Sequence, residues 1–176
     1  VYTALGAVKN VVYSILYWYG FKKRVTESGV VYFYYNNPKH KQTTMFIHGL
    51  GIGITPYLSF ILSLTNHSNL IVPILPNISN MEFHSMFDYV DSDKLFPNAN
   101  IWQNELKELL FDFGVDELNV IGHSFGTVII SILIKDLELK HKIKKRVFVD
   151  PVCFIDKSYK TYRYINEPDR EYGVVA

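Results

Sequence analysis

The residues Leu118-Asn119-Val120-Ile121-Gly122-His123-Ser124-Phe125-Gly126-Thr127 constrain this chain more than any others. A β-branched, apolar stretch runs into Gly-x-Ser-x-Gly, and a second apolar run, residues 128–134, follows at once. A strand, a sharp turn and a helix are expected in that order, with a serine at the apex. Such a turn forces the serine backbone into a strained conformation so that its Oγ stands clear of the sheet. It also leaves no room for a Cβ at Gly122 or Gly126. The chemistry that this geometry serves is nucleophilic attack by Ser124. The plainer alternative is a glycine-bounded βα turn that happens to contain a serine.

A second glycine-rich turn has the same placement. Residues 43–48 read as a buried strand that runs directly into Gly49-Leu50-Gly51-Ile52-Gly53. In an open α/β sheet ligands bind at the carboxyl ends of the strands, so both turns point to one site. Acyl transfer needs a nucleophilic oxygen and N–H donors aimed at the developing oxyanion. The N–H of Phe125 stands beside Ser124 at the helix start. The glycine-rich loop can bring the N–H of Leu50 to the same point. A phosphate-cradling loop is the competing reading, but neither G-x-x-x-x-G-K-[ST] nor G-x-G-x-x-G occurs there. His48 and His123 read as loop-orienting residues, since neither is placed to act as base toward Ser124.

The remaining chain supplies alternating elements. Residues 3–21 carry an amphipathic stripe through Ala4, Leu5, Val8, Val11, Val12, Ile15, Leu16 and Tyr19, followed by Lys22-Lys23-Arg24. A helix packed on the main domain is the first reading. An interfacial helix, or the end of a membrane span with a basic flank, is the alternative, and it makes residues 3–21 a candidate for membrane association. Strands are expected at 30–35, 43–48 and 69–75, the last ended by Pro73 and Pro76. Thr55 is expected to cap a helix with Pro56 in its first position. A further helix spans 100–113, with Glu105 and Glu108 on its charged face and Gly114 as its stop. The helix after Ser124 is expected to reach about Leu139, the basic stretch 140–146 to be a helix end and loop, and 146–149 to be a short strand ending in Asp150-Pro151. Residues 76–97 show no clean period. Together these imply an α/β fold, a mostly parallel sheet covered by helices on both faces.

Composition narrows the function classes. A net charge of +1 gives no electrostatic footprint for nucleic acid. The 48% hydrophobic content indicates a folded globular chain. The single cysteine, Cys153, excludes an internal disulfide framework and favours a cytoplasmic or membrane-associated location over a secreted one. No metal or organic cofactor is implied.

The pair His48-Gly49-Leu50-Gly51 and Gly122-His123-Ser124-Phe125-Gly126-Thr127 resembles the α/β-hydrolase superfamily over residues 28–153. Within it, Phe46-Ile47-His48-Gly49-Leu50-Gly51-Ile52-Gly53, Pro56-Tyr57 and Val149-Asp150-Pro151-Val152-Cys153-Phe154 resemble a group of fungal and protist hydrolase-like proteins. The resemblance implies a serine hydrolase acting on a small-molecule or lipid ester, with Ser124 as nucleophile and Phe125 and Leu50 as the oxyanion hole. Asp150 would be the acid, and the alternative for it is a carboxylate capping the Asp-Pro turn. It divides the chain into an N-terminal helix and linker (1–27), a partial hydrolase core (28–155) and the start of a lid or inserted region (156–176). The departure is the base. The family order is nucleophile, acid, histidine, yet all six histidines precede Asp150. The expectation is that the last strands and the histidine lie in sequence downstream of Ala176. His84 is a minor candidate in an unfamiliar order. A non-catalytic binding scaffold and a membrane-associated acyltransferase are the rival readings.

Overall fold

The computed structural model describes residues 2–26, 30–75 and 99–152. Its centre is a six-stranded sheet formed by β1 (Lys22–Val25), β2 (Val31–Tyr35), β3 (Thr43–Ile47), β4 (Asn69–Ile74), β5 (Leu118–His123) and β6 (Ile143–Val149). The strand order is β1-β2-β4-β3-β5-β6. β4, β3, β5 and β6 run parallel, and β2 and β1 are added antiparallel at one side. The helices are α1 (Tyr2–Trp18), α2 (Leu58–Leu64), α3 (Ala99–Asp112), α4 (Phe125–Leu133) and α5 (Leu137–Lys142).

The central strands are apolar on both sides, as a parallel sheet covered by helices requires. Met45 and Ile47 of β3 enter a core with Ile71, Leu118, Val120, Leu106, Leu110 and Ile130, beneath α3 and α4. Phe46, the residue between them, points the other way, into a core with Leu70, Val72, Phe33, Leu16, Ile54 and Ile61, beneath α1 and α2. The two-residue period of the pleat thus divides one continuous hydrophobic run between two layers.

Five local expectations are corrected. Lys22-Lys23-Arg24 is an exposed edge strand, not the flank of a helix, with Lys22 opposite Tyr34. An edge strand paired on one side and wet on both faces needs no apolar alternation, and cations guard its free edge. Pro73 does not end the strand. Pairing with β3 is recorded only as far as Met45 opposite Ile71, whereas pairing with β2 continues through Pro73 to Ile74. A proline can occupy a strand where the missing N–H leaves no ladder bond unmade. Residues 55–57 form a 3₁₀ turn whose N-cap position is Ile54, so Thr55 is its first residue and not its cap. The helix after Ser124 stops at Leu133, and Asp136 starts α5 by accepting the N–H of Leu139 at 3.1 Å. Asp136 also takes an ion pair of 2.6 Å from Lys107 of α3, and this bond holds its carboxyl below the ordinary range. The strand that follows is longer than expected and includes the basic residues from Lys144 to Arg146.

α1 packs on the sheet through Val12, Tyr13 and Leu16, with the Tyr13 ring edge-on to Phe33 at 4.7 Å. Gly20 ends it with a positive φ and the paired bonds Phe21 N–H to Leu16 and Gly20 N–H to Tyr17. Gly114 closes α3 in the same way. Among the described residues no helix is long and apolar enough to cross a membrane.

Glu105 departs from its expected place on the charged face of α3. It is buried between α3 and the sheet against Met45, Ile47, Pro73, Trp102 and Ile129, and its Oε2 has no hydrogen-bond partner among the described residues. A buried, unsatisfied polar atom costs about 1–3 kcal/mol. Glu105→Met, which keeps the length and removes the charge, should therefore raise the urea unfolding midpoint by about 1 kcal/mol of stability. A lowered midpoint would mean that the carboxylate is held by a partner.

Candidate active site

The site is built by the register of two neighbouring strands. Ile47 of β3 lies opposite Gly122 of β5, so the chain leaves both strands side by side, through His48-Gly49 on one and His123-Ser124 on the other. Ser124 sits between β5 and α4 with φ 49° and ψ −118°, a region that costs a residue with a Cβ about 1–3 kcal/mol.

The flanking glycines are required by contact. A Cβ on Gly126 would overlap the carbonyl oxygen of Ile47, and one on Gly122 would come within 2.8 Å of the Gly126 backbone. A Cβ on Gly49 would meet both the Ser124 Cβ and the His123 Nδ1 at 3.0 Å. The three glycines therefore mark where the loop after β3, the end of β5 and the start of α4 touch.

Polar bonds fasten this junction from three directions. From β6, Val149 accepts the Ser124 N–H at 3.0 Å. From α4, the Thr127 hydroxyl donates to the Ser124 carbonyl at 2.6 Å and accepts the Val152 N–H at 3.2 Å. Thr127 is fully buried. Its role was not legible in the sequence, although its place three residues after the serine, a hydroxyl inside an apolar helix, is the available signal. From β3, His48 is buried with both ring nitrogens occupied. Its Nε2 accepts the Leu75 N–H at 3.0 Å, which puts the ring proton on Nδ1, and Nδ1 donates to the Gly49 carbonyl at 2.8 Å. Burial lowers the His48 pKa from 6.5 to about 4, opposed in part by the bond to Gly49.

Of the other expected site residues, Leu50 is exposed at the rim, with Gly51 beyond it at a φ of 137°. Phe125 is the first residue of α4, where a helix leaves N–H groups without intrahelical acceptors. Asp150 follows β6 directly, exposed and at φ 47°. His123 bonds the Tyr57 hydroxyl through Nδ1 at 2.8 Å, a partner that the sequence did not reveal. His84, Cys153 and the lid expected at 156–176 lie outside the described residues.

Comparison with solved structures gives this arrangement its class. A candidate lipase from Acinetobacter baumannii AYE superposes with a TM-score of 0.60 at 17% identity, over 88% of this chain and 52% of that one. A bacterial membrane phospholipase A gives 0.55 at 17% identity, over 83% and 44%. A haloalkane dehalogenase loop variant from Bradyrhizobium elkanii gives 0.54 at 12% identity, over 76% and 40%. This is the α/β-hydrolase fold. The chain spans about half the length of the α/β-hydrolase structures it matches. No family model and no curated protein matches the sequence. The matched proteins cleave different bonds by their names, so the α/β-hydrolase fold alone does not select the chemistry.

Two outcomes follow from the geometry. Gly126→Ala should destabilise by about 2 kcal/mol or more, because the carbonyl of Ile47 cannot yield without moving β3. Gly6→Ala, in open space on α1, should gain up to about 1 kcal/mol, and chemical denaturation of the two variants gives the contrast. For His48 the folded pKa lies below the unfolded one. Its contribution is full above pH 6.5 and is lost as pH falls toward about 4. The decline amounts to about 3 kcal/mol at most. His48→Gln should flatten the difference between unfolding midpoints at pH 7 and pH 4.5, and an unchanged slope would contradict the neutral, buried ring.

Proposed function

We propose that the protein is a serine hydrolase of esterase or lipase type, with Ser124 as nucleophile and a carboxylic ester, small or lipid-derived, as substrate. The observation that carries the reading is the positive φ of Ser124 at a strand-to-helix turn, with Gly49 of the neighbouring loop pressed against its Cβ. Such a turn holds Oγ out for attack, and the adjoining loop brings a second set of N–H groups to it.

In this reading Oγ attacks the ester carbonyl, and the N–H groups of Phe125 and Leu50 bind the negative oxygen of the tetrahedral intermediate. Asp150 is the acid, held near the turn because Val149, its neighbour, accepts the Ser124 N–H. The base is not His48, whose two nitrogens are engaged, and His123, bonded to Tyr57, is read as a loop-orienting residue. The reading assigns it to a histidine outside the described residues. The acyl substrate is carried over from the names of the matched phospholipase and lipase.

A fluorophosphonate probe tests the nucleophile on the intact protein. Wild type should be labelled, Ser124→Ala should not, and Asp150→Asn should react at least about 100-fold more slowly. Equal labelling of wild type and Ser124→Ala would refute the assignment. Undiminished labelling of Asp150→Asn would move the acid elsewhere.

A further inference from the structure

The proposed oxyanion donor Leu50 is the weak point of the site. It is 73% exposed and stands between two glycines, so its N–H is aimed only as well as Gly49 is fixed. On one side the Gly49 carbonyl is bonded by the buried His48. On the other, Gly49 meets the His123 ring, with Nδ1 standing 3.0 Å from the place a Cβ would take. That ring is held in turn by Tyr57, through the 2.8 Å hydroxyl bond and a ring contact with centroids 5.3 Å apart. Tyr57 closes the 3₁₀ turn that the same loop enters, and its ring rests on Phe46 of β3 at 5.1 Å between centroids. The loop thus leaves β3 at His48, passes Gly49 and Leu50, and returns at Tyr57 to brace the ring under its own start.

We infer that Tyr57 is a positioning residue, which acts through His123 and Gly49 to hold the Leu50 N–H in line with the oxygen that becomes negative above Ser124. The inference rests on the hydrolase reading given above. A donor of this kind matters only where charge develops, so disturbing it lowers turnover and leaves ground-state binding alone. Loss of a whole oxyanion donor costs about 100- to 1,000-fold in rate, and loosening one costs less.

Tyr57→Phe is the test, because it keeps the ring on Phe46 and removes only the hydroxyl. In the intact protein it should lower kcat for a p-nitrophenyl ester about 10-fold with KM within twofold of wild type. Inhibition by a boronic acid, which forms a tetrahedral adduct, should weaken by the same factor. Amide hydrogen exchange should rise about 10-fold at Gly49 and Leu50 and stay unchanged at Val120 of β5. Tyr57→Leu, which removes ring and hydroxyl together, should exceed both effects. A Tyr57→Phe protein with wild-type kcat, boronate affinity and exchange at Leu50, while Ser124-dependent labelling persists, would overturn the positioning role alone. If wild type shows no Ser124-dependent labelling, the hydrolase reading itself falls and the positioning role falls with it. A general loss of stability would raise exchange at Val120 as well and would equally overturn the inference.

Discussion

The meeting of the Gly126 backbone with the carbonyl of Ile47 is the contact on which the rest of this structure depends. It fixes how closely α4 can lie over β3, and that distance is only available without a side chain. Once α4 is set there, Ser124 has no ordinary backbone conformation to use between His123 and Phe125. Its positive φ is a consequence of two rigid elements joined by one residue. The cost is small beside the apolar area that α4 buries through Val128, Ile129, Ile130, Ile132 and Leu133. Local strain therefore persists because the helix packing outweighs it.

The polar groups around this contact follow a different logic from those on the surface. His48 and Thr127 are the fully buried polar side chains nearest the serine, and each bridges two backbone segments that have no ladder between them. A neutral imidazole can donate on one side and accept on the other, so it suits a dry junction where a carbonyl faces one nitrogen and an N–H faces the other. A hydroxyl has the same two-sided capacity. Glu105, by contrast, brings a carboxylate into an apolar layer with one oxygen unsatisfied among the described residues.

The parts of this architecture legible in the sequence were those in which one residue type has only one physical use. Gly122 and Gly126 could be interpreted because a close approach excludes every alternative, and Gly114 because a helix stop needs its positive φ. The alternation of Met45, Phe46 and Ile47 between two cores was implicit in an unbroken apolar run. Other features escaped for equally specific reasons. Lys22-Lys23-Arg24 has no pattern because an edge strand needs none. Asp136 lies within a run of helix formers, and only its partnership with Lys107 and the Leu139 N–H shows it as a break. The Tyr57–His123 bond joins residues 66 positions apart, beyond any local pattern.

The two outer strands of the described sheet carry the same tetrapeptide. Lys-Lys-Arg-Val occupies 22–25 in β1 and 144–147 in β6, and both stretches are exposed. Lys144 is partnered by Glu117, which leaves the cationic character of both stretches largely intact. Two copies brought together along the β1 margin would oppose like charges across a strand spacing of about 5 Å. Such repulsion is strong in dilute buffer and fades once the screening length falls to a few ångströms. The β1 margin of the described sheet thus carries an ionic safeguard against self-association, and the surrounding salt sets its strength.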